Sequence, residues 1–325
     1  MPRVLILHTG GTLGMKGTPL EPGSYATHLT ETVPELEKIA ELETHIVCNI
    51  DSSDITPRHW GAMAEKIAAE RERFDGFVIV HGTDTMAYTA GALSFALRGL
   101  DRPVVLTGAQ RPLAALRSDA RRNLADAVEV ATTKIPEVCV CFDGLLLRGC
   151  RTRKANAHDY RAFDSPGTEP LARLGVDIEQ ASHIRRPDGP FVCDARFDPH
   201  VMVLLVSPGL SPALVDHVVD APQLRGLVLA AYGTGTVPTA FEPIAPSIAR
   251  AMQRGIEVVV VTQSAGMVDL GLYQNSLPLA AAGAISGGRM HVEAAVPKLM
   301  HALATLEDRD ERRAYLLRDV AGERS

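Results

Sequence analysis

Val4-Leu5-Ile6-Leu7-His8-Thr9-Gly10-Gly11-Thr12 and Phe77-Val78-Ile79-Val80-His81-Gly82-Thr83-Asp84-Thr85 share one layout: a short apolar run that ends on glycine and threonine. Runs of this kind suit strands buried on both faces of a parallel sheet. A hydroxyl just past such a strand is held rigidly, and the glycine beside it lets a ligand approach the backbone. Thr12 and Thr83 lie 71 positions apart. Both fall where open α/β sheets place their ligands, beyond the carboxyl ends of strands. Two fixed hydroxyls, with Asp84 next to one of them, point to acyl transfer.

Working outward, the first half alternates strand and helix patterns. Strands are expected at Val4–Thr9, His45–Asn49, Phe77–His81, Val104–Thr107 and Val138–Phe142. Helical periodicity covers Thr56–Arg73, with Thr56 as N-cap and Pro57 at the first helical position. It also covers Thr85–Leu97, with Asp84 as cap, and Ser118–Thr132, with Asp119 in the first turn. Asp143-Gly144 marks a turn, after which Leu145–Gly149 and Arg151–Lys154 read as a hairpin ending on Lys154. A second, smaller βα series has strands at Val201–Val206, Leu227–Ala231 and Val258–Thr262, and helices near Pro212–Val219 and Ser247–Arg254. The tail reads as helical from Val292 to about Val320, with Pro297 starting or kinking a helix.

The expected fold is therefore α/β: a larger N-terminal, doubly wound, mostly parallel sheet domain and a smaller C-terminal α/β domain. The boundaries read as 1–185 for the first domain, 186–200 for a linker rich in Pro, Gly and charge, and 201–325 for the second.

With 33 basic and 39 acidic residues the chain carries a net charge of −6, which gives no electrostatic case for nucleic acid or an anionic membrane. Arg117, Arg121 and Arg122, the densest basic cluster of the first half, read as a solvated helix face. No uncharged apolar run reaches the ~18 residues of a membrane span. The first residues lack the pattern of a secretory signal. Five sparse cysteines, Cys48, Cys139, Cys141, Cys150 and Cys193, read as reduced thiols of a cytoplasmic protein. Cys139 and Cys141 share one strand face, but no second pair stands at zinc-site spacing, so buried thiols are the better reading.

A phosphate cradle fails at Gly10-Gly11-Thr12, because neither a G-x-G-x-x-G nor a P-loop pattern is present. The nucleophile elbow of serine hydrolases is missing too. A threonine hydroxyl needs a partner to take or stabilise its proton, and Tyr25, Asp84 and Lys154 are available. Tyr25 closes a loop, Gly14–Tyr25, that carries three glycines and two prolines and reads as a lid. Backbone N–H groups at Gly11 and Thr83 are candidate oxyanion donors. Asp51-Ser52-Ser53-Asp54 reads equally as a turn and as a binding loop for the charged ends of a small polar substrate.

Thr9–Gly14, Asp51–Pro57, His81–Ala90 and Thr107–Pro112 resemble the bacterial-type L-asparaginase family, cytoplasmic type I branch. The likeness continues through Leu116–Asp119, Arg148–Ala155, Tyr232–Gly235 and Val292–Ala294, so it covers nearly the whole chain in order. The resemblance implies hydrolysis of L-asparagine to L-aspartate and ammonia through a threonine acyl-enzyme, without metal or cofactor. It makes Thr12 the primary nucleophile with Tyr25 as partner, and groups Thr83, Asp84 and Lys154 as a second catalytic set. Ser52 would hold the substrate α-carboxylate, Asp84 the α-amino group, and the Ala109 carbonyl the side-chain amide. Gly11, Asp51 and Ser53 complete the substrate-binding set. A homodimer or homotetramer with active sites near subunit interfaces is implied, as is a left-handed crossover in the first domain, against the usual hand. A glutaminase-asparaginase of broader specificity and a non-catalytic amino-acid sensor on the same fold are the competing readings. The amidase-like part of an archaeal glutamyl-tRNA amidotransferase is disfavoured, because it has a further domain ahead of the first strand.

Two features depart from the family pattern. Thr236 stands where asparagine often follows Tyr-Gly-Thr-Gly and serves the neighbouring subunit's site. Ala230-Ala231 and Ser264 replace the arginine and cysteine of a second, activating asparagine site found in some type I enzymes. That form of activation is expected to be absent or altered.

Overall fold

Arg3–Gly10 forms β1, and seven of its eight residues are buried because it lies between two parallel neighbours, Glu41–Ile50 (β2) and Gly76–Val80 (β3). The structure, a computed structural model, describes residues 1–16, 21–22 and 33–325. It divides into two units, Met1–Ala195 and Arg196–Ser325. In the first, Pro57–Glu70 (α1) leads from β2 into β3, and Met86–Ala96 (α2) leads on to Val104–Thr107 (β4). Ala120–Ala131 (α3) then leads to Val138–Phe142 (β5). The pairs β3–β4 and β4–β5 are parallel as well, so five parallel strands carry the sheet.

Strand alternation explains the layers. Val4, Ile6, Val78, Val80, Val105, Cys139 and Cys141 turn to one face and form a single core with Leu124, Ala127 and Val128 of α3. Burial raises the Cys139 and Cys141 thiols well above their usual pKa, in keeping with inert core thiols. α2 packs against α1 and buries ten of its eleven residues, which is why its sequence is apolar all round.

Three expectations fail here. The strand expected at His45–Asn49 forms, within the longer β2, but its burial on both faces does not: β2 is mostly exposed, because it sits at the sheet edge with β1 as its one partner among the described residues. The expected hairpin of Leu145–Gly149 with Arg151–Lys154 does not form. Asp143 and Gly144 both take left-handed backbone angles (φ 48° and 72°), the geometry of a two-residue hairpin turn, and fold Leu145–Arg148 (β6) antiparallel onto β5. Arg153–Lys154 (β7) pairs instead with Phe163–Asp164 (β8). Ala172–Leu174 (β9) and Ile178–Gln180 (β10) extend the sheet beyond β6, giving the order β10-β9-β6-β5-β4-β3-β1-β2.

The second unit has four parallel strands in chain order: Val201–Leu205 (β11), Gly226–Ala231 (β12), Glu257–Thr262 (β13) and Ile285–Ser286 (β14). Pro212–Val219 (α4) and Ala245–Gln253 (α5) connect the first three. The tail is helical from Val292 as expected; what fails third is its continuity, since it forms two helices, Val292–Thr305 (α6) and Arg309–Leu317 (α7). Pro297 lies inside α6 and starts neither helix. The break falls at 306–308, where Asp308 Oδ1 accepts the Glu311 amide at 2.9 Å and caps α7. Lys298 of α6 is fully buried and pairs with buried Glu323; its Nζ also donates to the carbonyls of Leu316 (3.1 Å) and Arg318 (2.6 Å).

Candidate active site

The site is built where β1, β2 and β3 end together. The β1–β2 register slips after His8, so that Gly10 comes opposite Ile50 and the chain swings over β3. Gly11 has φ +88°, and a Cβ there would lie 2.4 Å from the Gly82 nitrogen. A Cβ on Gly82 would lie 2.6 Å from Ser52 Oγ. Only bare backbone allows these loops to touch, which is why glycine precedes each threonine. Thr12 and Thr83, each one residue further on, thus stand on adjoining loops. Thr12 is half-buried and opens the turn Thr12–Gly14; Thr83 is buried.

Lys154 enters from β7, which is held by its pairing to β8 and by the Ala155 N–H to the Ala162 carbonyl at 2.8 Å. Its Nζ lies 2.7 Å from Thr83 Oγ1 and 2.6 Å from Asp84 Oδ1. The Thr83 hydroxyl donates in turn to Gln110 Oε1 at 3.3 Å. Asp84 does not cap α2: Thr85 holds the cap position without a side-chain bond, and the Asp84 carboxylate turns to Lys154. The ion pair outcompetes the cap because a full cation is a stronger partner than a backbone N–H.

Ser52 packs against Gly82, and its carbonyl accepts the Thr85 hydroxyl at 2.7 Å. Asp51 and Ser53 form a turn with each other: Asp51 Oδ1 accepts the Ser53 amide (2.8 Å) and hydroxyl (2.6 Å). Those bonds hold the Asp51 carboxyl below its usual pKa. Ala109, buried, follows β4. Tyr25 and most of the expected lid lie outside the described residues. Thr236 Oγ1 turns back on the Tyr232 carbonyl at 3.4 Å. Among the described residues no three His, Cys, Asp or Glu side chains are grouped as a metal would require.

Three further side chains hold roles at the site that the sequence pattern does not mark. Gln110 bridges the site, with Oε1 on Thr83 and Nε2 on the Asp159 carbonyl at 2.9 Å. Asp119 occupies the N-cap position of α3 rather than its first turn, and its carboxylate binds the 110–111 backbone instead of capping the amides of its own helix. Asn123, buried in α3, donates to the Gly108 carbonyl at 3.0 Å. Neutral amides and a loop-facing carboxylate leave no periodic trace, so spacing had no means of marking them.

His81, just before Gly82-Thr83, is a buried neutral ring. Its Nδ1–H donates to the Gly82 carbonyl (2.7 Å), and Nε2 accepts from Thr89 Oγ1 (2.9 Å), which accepts from Trp60 Nε1 (3.0 Å). Burial pushes its pKa from 6.5 down to about 4. The unfolded chain therefore takes up a proton near pH 6.5 that the fold refuses until about pH 4. This contribution is intact above pH 6.5 and is lost as pH falls through that window, by about 2 kcal/mol at pH 5. Urea midpoints at pH 7.5 and 5 should drop more for wild type than for His81→Gln; equal drops would contradict the assignment.

Residues 3–186 match the family model described as "Asparaginase, N-terminal", and residues 200–316 match "Glutaminase/Asparaginase C-terminal domain". The chain is 37% identical over 330 residues to L-asparaginase 1 of Escherichia coli K12, covering 98% of this chain and 97% of that one. It is 35% identical over 328 residues to the L-asparaginase of Thermococcus kodakarensis, covering 99% of this chain and 98% of the relative. Among solved structures, the thermostable L-asparaginase from Thermococcus kodakarensis superposes with a TM-score of 0.93 at 34% identity, covering 99% of both chains.

Proposed function

The chain belongs to the asparaginase family of hydrolases, and from that premise we propose that it hydrolyses L-asparagine to L-aspartate and ammonia through a threonine acyl-enzyme. The observation that carries this reading is the placement of Lys154 Nζ 2.7 Å from Thr83 Oγ1 and 2.6 Å from Asp84. A cation at that distance stabilises an alkoxide on Thr83, so the hydroxyl gives up its proton at less cost. Thr12 attacks the side-chain carbonyl, with Tyr25 as its partner. The C–N bond breaks, and ammonia leaves with a proton relayed from the attacking hydroxyl. Water then cleaves the ester, passing its proton through the Lys154-supported Thr83 hydroxyl to the departing Thr12 oxygen, which restores both threonines.

Backbone N–H groups at Gly11 and Thr83 suit the oxyanion of both steps. Ser52 takes the substrate α-carboxylate beside Asp51 and Ser53, Asp84 takes the α-amino group, and the Ala109 carbonyl accepts from the side-chain amide. The enzyme works in the cytoplasm as a homo-oligomer, with no metal or cofactor in its chemistry. Among the described residues no helix is long and apolar enough to cross a membrane.

Ammonia release after adding L-asparagine, measured beside calorimetric binding of the same amino acid, tests the proposal. Turnover is the expected result. Binding without ammonia would replace the hydrolase by an amino-acid sensor.

A further inference from the structure

Two peptide units flank Ala109, and side chains at the start of α3 hold both. Asn123 Nδ2 donates to the Gly108 carbonyl at 3.0 Å. Asp119 accepts the Gln110 N–H on Oδ2 at 2.9 Å and the Arg111 N–H on Oδ1 at 3.0 Å. The pair is also joined internally, Asn123 Nδ2 to Asp119 Oδ2 at 3.1 Å. Asn123 Oδ1 in turn accepts the Asp143 amide at 3.1 Å, which anchors the group on the turn between β5 and β6. Asp119 makes no side-chain cap bond to its own helix, so this carboxylate serves the loop.

A trans peptide is planar, and its C=O and N–H point in opposite directions. Fixing the Gln110 N–H on Asp119 therefore also fixes the Ala109 carbonyl, which points away from Asp119. No backbone hydrogen bond among the described residues uses that carbonyl. Because it is held from behind, it keeps its direction when a donor arrives.

We propose that Asp119 is a positioning residue that selects for a leaving group carrying N–H: by holding the Gln110 amide it aims the Ala109 carbonyl at the scissile nitrogen. The proposal rests on the L-asparagine reading above, in which that carbonyl accepts from the side-chain amide. An amide nitrogen can donate to an aimed carbonyl, whereas an ester oxygen cannot and meets only lone pairs. Any disturbance of Gln110 and Thr83 would slow both substrates alike, whereas misdirection of the carbonyl slows the amide alone.

The test compares L-asparagine with the β-methyl ester of L-aspartate on the full chain, as wild type, Asp119→Ala and Asp119→Asn. Asp119→Ala should lower kcat/KM for the amide about tenfold and leave the ester within about threefold. Asp119→Asn keeps one acceptor oxygen and should recover part of the amide rate; it carries the comparison if the alanine variant does not fold. Equal losses on both substrates, or an unchanged amide-to-ester ratio, would overturn the proposal. So would failure of both variants to fold, which would assign Asp119 to the fold itself. A wild type that releases no ammonia from L-asparagine sinks the parent reading first and this one with it, and is distinguished because no variant is needed to see it.

Discussion

Lys154→Met is expected to lower kcat for amide hydrolysis by about 10²–10⁴-fold with little change in melting temperature. Methionine keeps an unbranched stem out to Cε but has neither charge nor donor, so Thr83 Oγ1 loses its 2.7 Å partner and Asp84 its cation. Stability should hold because Asp84 is 66% exposed, and an exposed pair of this kind contributes about 0–1 kcal/mol. The readout separates the catalytic role from a surface one, since loss of surface charge alone would leave kcat where it was. Near-normal turnover in Lys154→Met would remove Lys154 from the chemistry.

The second large effect concerns stability. Lys298→Met should destabilise the chain by about 3–5 kcal/mol, because it strands the buried Glu323 carboxylate without its cation. Burial lowers the Lys298 pKa, and the attraction of Glu323 opposes that shift, as expected of an ion kept charged by its partner. Lys298 also fastens the end of α7 through the Leu316 and Arg318 carbonyls, so its loss releases the last residues together. Glu323 keeps its bonds from the Val320 and Ala321 amides, which should limit the damage. In the double variant Lys298→Met, Glu323→Gln the buried charge is gone, and part of the stability should return. Urea unfolding of wild type and the two variants checks this; an unchanged midpoint in Lys298→Met would contradict it.

What can be read from residues follows from where the information lies. β1, β3, β4 and β5 are legible because strands buried on both faces must be apolar throughout. β2 is blurred, since an edge strand needs no such run and its exposed residues carry no pattern. Asp84 as a helix cap and Asp119 as a first-turn acid are both sound readings locally. Tertiary partners win in each case: Lys154 from 70 residues away, and the 110–111 backbone folded against α3. Asp143-Gly144 is a turn, as its sequence indicates, but its tight geometry selects a different strand partner from the one expected.

The two threonines stand out by pattern, since strand-then-glycine is a local signature. That Lys154 meets Thr83 is not visible in spacing; it follows from the family resemblance, and the fold brings the two within hydrogen-bond reach. Gln110 and Asn123 cannot be found this way, because a neutral amide in a loop or a helix interior has many ordinary uses.

The most direct measurement is ammonia release from L-asparagine and from L-glutamine by the wild type and Thr83→Ala. The wild type should turn over L-asparagine, with a pocket preference between the two amides of about 1–3 kcal/mol for their one-methylene difference. A folded Thr83→Ala should lose both activities by orders of magnitude. Near-normal ammonia release by Thr83→Ala would contradict the catalytic role of that hydroxyl.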